Sequence, residues 1–236
     1  MNNINSVAII LARGGSKGIK NKNLQAINNK SLLEITVNQL RKKLKIDIFV
    51  SSDSKEVLEK ASILGCSLID RPLELATDES TSEEALLHSI EYIEDNYKAD
   101  FKSIIFPQLT SPLRKFSDFS NALDKFHNEG LDSLFSSNDA LDYLIWGLNN
   151  QGILEEVNFQ NNKRTLRQSK NLQIIENGSF YIFDKELFKK NKVRLFGKID
   201  HYKMESWQVF EIDSHEDLEL CKDLSKIKLV DGIYNE

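Results

Sequence analysis

Residues 7–18 read Val7-Ala8-Ile9-Ile10-Leu11-Ala12-Arg13-Gly14-Gly15-Ser16-Lys17-Gly18. An unbroken aliphatic run passing straight into a glycine-rich, basic loop decides the fold class. A strand with no polar alternation is buried on both faces, as in a mostly parallel sheet covered by helices. The loop sits at the carboxyl end of that strand, where open α/β sheets bind ligands. It is not a Walker A loop, because Lys17 precedes Gly18 and no Ser or Thr follows a Gly-Lys pair. Its glycine spacing is not that of the dinucleotide fingerprint either. The physics is nonetheless shared. Glycines let backbone N–H groups approach a phosphate, and Arg13, Lys17 and Lys22 add charged donors. Taken alone, the loop could also be a solvated Gly-rich turn.

The charge distribution agrees with a compact anionic ligand. The chain has 236 residues, 31 Lys+Arg and 36 Asp+Glu, for a net charge of −5. Its first 33 residues hold five cations (Arg13, Lys17, Lys20, Lys22, Lys30) and no carboxylate, so the acidic surplus lies entirely downstream. An acidic chain lacks the broad basic face that nucleic-acid binding by counterion release requires. A small basic island suits one compact anion. With 40% apolar and 28% charged residues the composition is globular. Cys66 and Cys221 are isolated from each other and build no zinc pattern or disulfide framework. No apolar run approaches the roughly 18 residues that span a bilayer, and the start MNNINS lacks the basic segment of a signal peptide. A protein of the cytoplasm, with no membrane or nucleic-acid partner, is expected.

Outward from the first loop, apolar runs alternate with amphipathic stretches. Leu33, Val37, Leu40 and Leu44 predict a helix; Ile46 to Val50, closed by Ser51-Ser52-Asp53, a strand. Val57, Ala61 and Leu64 mark a helix ending at Gly65 in a C′ position, before a strand over Cys66 to Ile69. Leu86, Ile90, Ile93 and Tyr97 share a helix face, followed by a strand at Ile104-Ile105-Phe106. Phe119, Leu123 and Phe126 mark another helix before Ser133 to Ser136. This alternation predicts one α/β domain with a mixed, mostly parallel sheet flanked by helices, Rossmann-like in organisation. Residues 138–173, rich in Asn, Gln and Lys, show neither period and read as a long insertion ordered by a ligand or a second subunit. Gly178 to Phe183 is a strand. Ser214 and Asp217 form a capping box opening a helix with Leu220, Leu224 and Ile227 on one face.

Five segments, in order, resemble the acylneuraminate cytidylyltransferase (CMP-sialic acid synthetase) family. They are LARGGSKGIKNKN (Leu11 to Asn23), RPLELATDESTS (Arg71 to Ser82), FPQLTSPLR (Phe106 to Arg114), LRQ with ENGSFYIF (Leu166 to Phe183) and FEIDSHEDL (Phe210 to Leu218). The resemblance implies a nucleotidyltransferase domain over 1–236, with 138–176 as an insertion for dimerisation and the sugar pocket, and a homodimer. It implies Mg²⁺-dependent transfer of CMP from CTP to the anomeric hydroxyl of a free nonulosonic, sialic-acid-like sugar, releasing pyrophosphate. Such catalysis is mostly positioning and charge neutralisation.

Carried over by position, the nucleotide falls to Leu11, Ala12, Arg13, Gly14, Gly15, Ser16, Lys17, Asn23, Arg71, Ser80 and Ser82. Arg167, Arg13 and Lys22 are the implied catalytic residues, Arg167 pairing with the sugar carboxylate or the developing phosphate charge. Gln108, Thr110, Ser111, Gln168 and Tyr181 are implied at the sugar, and Asp213 and Glu211 at the metal. Two positions depart from the family: Lys20 stands where proline is usual, and Glu211 where the first aspartate of an Asp-Ile-Asp segment stands. The longer Glu211 arm can reach Mg²⁺ directly or through water. Trp146 lies in the variable region that shapes the sugar pocket.

Several of these residues also have plain structural readings. Arg71 and Arg114 suit surface ion pairs, Ser80 a helix N-cap, Asn177-Gly178 a tight turn, and Asp213 a partner for a helix dipole. Asp53 reads as the cap of the following helix. Three other functions fit the same fold: a cytidylyltransferase for an eight-carbon keto-acid sugar, an enzyme acting on a sugar phosphate, and a non-catalytic nucleotide-binding subunit. The eight-carbon relatives carry an Arg-Tyr-Gly-Ser-Thr-Arg type first loop, unlike the one here, and no second phosphate cradle is evident.

Overall fold

The computed structural model describes residues 6–15, 18–140, 145–158 and 173–235. In chain order the elements are β1 (Ser6–Leu11), β2 (Ala26–Ile27), β3 (Lys30–Ser31), α1 (Leu32–Lys43), β4 (Asp47–Ser52), α2 (Lys55–Ile63) and β5 (Ser67–Asp70). Then come α3 (Ser82–Tyr92), β6 (Ser103–Pro107), α4 (Phe116–Asn128), β7 (Ser133–Asp139), β8 (Trp146–Leu148) and β9 (Leu154–Glu156). The chain closes with β10 (Ile174–Asp184), α5 (Lys185–Asn191), β11 (Ile199–Lys203) and α6 (His215–Lys228).

Seven strands form one sheet in the order β11-β7-β10-β6-β1-β4-β5. β6, β1, β4 and β5 run parallel, as do β11 and β7, while β10 is antiparallel to both its neighbours. The mixed, mostly parallel sheet expected from the sequence is therefore present. β1 shows why. Ala8 and Ile10 enter one core with α1, α4 and α6, while Val7 and Ile9 enter the other with α3 and α5. A strand so placed has no solvent side, and its sequence cannot alternate.

Local punctuation falls where the sequence put it. Gly65 follows α2 at φ +68°, and Ser214 with Asp217 makes both bonds of a capping box. Two helix faces differ from the spacing. In α6 the core side is Leu218, Cys221 and Ser225, with Leu220 and Ile227 exposed; the true stripe includes a cysteine and a serine, which hydrophobic counting passes over. The helix after Ser82 ends in a π turn over Ile93–Tyr97, so Tyr97 swings to the rim, where its hydroxyl donates to Leu68 O at 3.0 Å. Within 138–173, a short hairpin of β8 and β9 stands where no periodicity was visible. No helix among the described residues is long and apolar enough to cross a membrane.

Candidate functional site

The parallel strands β1, β4, β5 and β6 all end on the same edge of the sheet, and the segments that leave β1, β5 and β6 help wall a cavity of about 520 Å³. Leu11 and Arg13 come from the loop after β1, Arg71 follows β5, and Gln108 and Thr110 follow β6. Ser80 and Ser82 lie at the opening of α3, and Asp213 before α6.

The first loop is tied down from below. Ser52 Oγ donates to Ala12 O at 2.6 Å, and Asn23 Nδ2 to Arg13 O at 2.9 Å. Gly14 N–H donates to Asp53 Oδ1 at 2.9 Å. Asp53 is thus not the cap of α2; Ser54 is, accepting from Val57 N. Sequence reading missed this role because its partner lies 39 residues away. Gly18 is required by a close approach: a Cβ there would lie 2.2 Å from Asp213 O. Gly15 meets nothing within 4 Å. Ser16 and Lys17 lie outside the described residues.

Among the described residues three cations address this cavity. The Arg13 guanidinium spans to the opposite lip, donating to Thr77 O at 2.9 Å and pairing with Asp78 at 3.1 Å. Lys22 Nζ donates to Ile212 O at 3.1 Å and to Asp213 Oδ1 at 2.9 Å. Arg71 is no surface ion-pair former. It is 5% exposed and donates twice to Ser51, from Nε to Oγ at 3.1 Å and from Nη2 to O at 2.6 Å. Burial lowers its pKa to about 10 against the pull of Asp53, with Arg13 adding to the fall. Ser80 is not the N-cap of α3 either: Thr81 is, in a capping box with Glu84. The Ser80 hydroxyl instead donates to Glu74 O at 2.8 Å, holding the Thr77–Ser80 turn on the cavity rim.

A second cavity of about 470 Å³ adjoins the first, with Gln108 and Thr110 lining both. Its other polar groups include Tyr181, Glu176, Arg194 and Glu211. Gln108 is the shared wall. Its backbone N–H donates to Ser179 O at 2.9 Å, yet its side-chain Nε2 is a buried donor with no partner among the described residues. An orphaned donor there is costly unless a ligand accepts from it. Tyr181 donates to Glu176 Oε1 at 2.5 Å and stacks on Phe106. Ser111 is buried and faces Glu211 Oε1 at 3.4 Å, lining neither cavity. Arg194 is a residue the sequence did not single out, since nothing local marks it.

Arg114 is another buried cation, not a surface one. It has no exposed area, and it donates to Ser179 Oγ and O at 2.8 Å each, to Gln39 Oε1 at 3.2 Å and to Gln108 O. It braces the segment that presents Gln108. Asn177 is likewise buried, bonded to Ser136 and Asn138. Gly178 occupies an irregularity of β10 at φ +66°, where a Cβ would meet Glu211 Oε1 at 2.0 Å. The Asn-Gly pair therefore turns no hairpin; it makes room for Glu211.

Glu211 and Asp213 flank buried Ile212, whose N–H donates to Thr110 O at 2.8 Å. Glu211 faces the second cavity and Asp213 the first. Burial, then the Asp213 charge, raises the Glu211 pKa against the Ser111 hydrogen bond and the charges of Arg114 and Lys22. Among the described residues no group of three His, Cys, Asp or Glu side chains could hold a metal by itself. The two carboxylates, beside the cationic loop, are hard oxygen donors of the kind that suits Mg²⁺, which takes one or two carboxylates plus substrate phosphates. Arg167 and Gln168 lie outside the described residues. Trp146 lies on β8, away from both cavities' linings.

Comparison with known proteins agrees with this architecture. The family profile described as Cytidylyltransferase matches residues 7–235. The chain is 30% identical over 226 residues to post-translational flagellin modification protein B of Campylobacter coli, covering 93% of this chain and 94% of that one. It is 28% identical over 216 residues to N-acylneuraminate cytidylyltransferase of Streptococcus agalactiae serotype V, covering 89% of this chain and 51% of that one, so it spans about half of that relative. In fold it is similar to a CMP:2-keto-3-deoxy-manno-octonic acid synthetase complexed with CTP, with a TM-score of 0.70, 13% identity, and coverage of 95% of this chain and 99% of that one. The sheet order, the basic loop at its carboxyl edge and the profile match over nearly the whole chain converge: this chain belongs to the cytidylyltransferase family of nucleotidyltransferase enzymes.

Proposed function

We propose that this protein transfers CMP from CTP to the anomeric hydroxyl of a free nonulosonic acid sugar, with Mg²⁺, releasing pyrophosphate. The observation that carries this reading is the shared wall: two adjoining cavities meet at Gln108 and Thr110, one cationic and glycine-looped, the other lined by Tyr181 and Glu211. Two substrates held on either side of one wall react with little further loss of freedom. Arg13, Lys22 and the loop N–H groups neutralise the triphosphate, and Lys17 of the same sequence motif adds a further positive charge. Arg71 supports the nucleotide from beneath, and Ser80 and Ser82 offer hydroxyls at the rim. Gln108 donates its orphaned amide to a substrate oxygen. Asp213 and Glu211 would hold Mg²⁺, which would offset phosphate charge, and Arg167 pairs with anionic charge near the reacting centre.

The working unit in this reading is a homodimer of the cytoplasm. Leu148 and Leu154, 71% and 61% exposed on the β8–β9 hairpin, supply apolar area for a second copy, and two buried free thiols suit a reducing compartment.

Pyrophosphate release is the test. It should require CTP, Mg²⁺ and a nonulosonic acid together, with sialic, legionaminic and pseudaminic acids and an eight-carbon keto acid as separate arms. Turnover confined to the eight-carbon acid would move the assignment to that sugar; CTP binding without turnover on any acid would make the protein a nucleotide-binding subunit.

A further inference from the structure

The second cavity presents a problem of charge. Glu176 and Glu211 line it, yet the acceptor proposed above is itself a carboxylate. Among the described residues that line this cavity, Arg194 is the one Lys, Arg or His. It lies between α5 and β11, and its side chain is built into place. Nε donates to Glu83 Oε1 at 2.7 Å. The guanidinium carbon lies 4.8 Å from the Tyr181 ring centroid and 5.6 Å from that of Phe106. An ion pair along one edge and two rings against the group fix its plane, which removes most of the freedom an arginine would lose on binding. Nε is committed to Glu83 and the guanidinium also bonds the Tyr181 side chain, so the remaining Nη donors are the part of the fork that can meet an anion.

We propose that Arg194 binds the carboxylate of the incoming keto-acid sugar, and that Glu83 orients the guanidinium for that contact. The inference rests on the acceptor reading given above. Its physical reason is that a carboxylate entering beside Glu176 and Glu211 needs a desolvated counter-charge, and a planar donor fork supplies one with directional bonds. Glu83 also follows Ser82 in the first turn of α3, so one helical turn touches the nucleotide cavity and, through Arg194, the acceptor cavity.

The test is steady-state kinetics with CTP, Mg²⁺ and whichever nonulosonic acid the wild type uses best, set against the C1 methyl ester of the same sugar. The ester keeps the shape and loses the charge. Wild type is expected to favour the acid in kcat/KM by about 30-fold or more. Arg194→Met should reduce that preference to within about threefold and raise KM for the acid about tenfold or more, with KM for CTP within about twofold. Glu83→Gln should lower the preference by an intermediate amount. If Arg194→Met does not fold, Arg194→Lys must by itself cut the preference at least about fivefold, because an ammonium keeps the charge and lacks the fork. An Arg194 variant that retains the wild-type preference overturns the proposal, as does a preference lost in Arg167→Met and kept in Arg194→Met. A wild type that turns over no nonulosonic acid sinks the acceptor reading and this inference with it, a result distinct from an active wild type with an indifferent Arg194 variant.

Discussion

Lys22 and Asp213 lie 191 residues apart in the chain and meet at 2.9 Å, Nζ to Oδ1, at the mouth of the cationic cavity. The acid-free beginning of the sequence is thereby joined to the acidic remainder at one point of the site. Asp213 is 74% exposed, so the pair adds little to stability. Its value is positional. Lys22→Met should weaken CTP binding by roughly 10- to 100-fold while the melting temperature stays within a few degrees. Calorimetric titration and a thermal melt check both halves.

Asp53 should matter for the same ligand from the other side of the loop. Its carboxylate holds the Gly14 N–H and lies near Arg71. Asp53→Ala frees the loop and should raise the CTP dissociation constant about tenfold, with Asp53→Asn recovering part, since an amide oxygen still accepts a hydrogen bond. Equal affinities for all three proteins would show that the loop needs no brace.

Gly178 makes a specific prediction about Glu211. An alanine there would adopt φ +66° and bring a Cβ to 2.0 Å from Glu211 Oε1. The backbone cost is about 1 kcal/mol, and the carboxylate is displaced. Gly178→Ala should therefore lose only a few degrees in a thermal melt and yet reduce turnover by an order of magnitude or more. Pyrophosphate release across a Mg²⁺ titration is the measurement.

Arg114 is a stability residue beneath the site. Truncating it strands buried acceptors at Ser179 and Gln108 and leaves a cavity against Phe119, whose ring it covers at 5.3 Å. Arg114→Ala should cost roughly 3–5 kcal/mol in urea unfolding. Arg114→Lys should recover little, because an ammonium cannot span the same acceptors.

Asp118 sets a pH dependence away from the site. It is buried, accepting from Lys115 N and Gln208 Nε2 at 2.7 Å each. Burial raises its pKa above the ordinary 3.8, against hydrogen bonds to Lys115, Gln208 and Tyr202 and the charge of Arg114. A carboxyl whose folded pKa exceeds its unfolded one binds its proton more tightly in the folded chain, so its contribution to stability is fullest below the unfolded value and is lost as pH rises through the folded one. Glu84, Glu94, Asp200, Glu205 and Asp217 are held low and pull the other way in both proteins, so the measurement is the difference: the unfolding free energy of the wild type relative to Asp118→Asn should fall from about pH 3.5 upward.

The local features were legible because their partners are close in sequence. The Ser214–Asp217 box and the Gly65 terminus each depend on residues within a turn, and β1 declared its two-sided burial in the unbroken aliphatic run from Val7 to Leu11. Charged side chains were not legible in the same way. Arg71 and Arg114 are indistinguishable from surface arginines in sequence, and Arg194 carries no motif; their burial depends on which strands and helices lie opposite. The core side of α6 was misread for a related reason, since Cys221 and Ser225 enter the core only because the sheet is there to receive them.

Sequence by itself determined the strand-loop unit at residues 7–18, the alternation that builds a mostly parallel sheet, and the residue types available for a phosphate cradle. These follow from backbone preferences and short-range periodicity, which each segment carries with it. Only the tertiary structure decided that Lys22 would meet Asp213, that Gly178 would clear space for Glu211, and that Gln108 Nε2 would find no partner among the described residues at the wall between two cavities. Those relationships are long-range contacts. Their energies depend on distance, burial and the direction of each donor, and none of these exists until the chain has closed on itself.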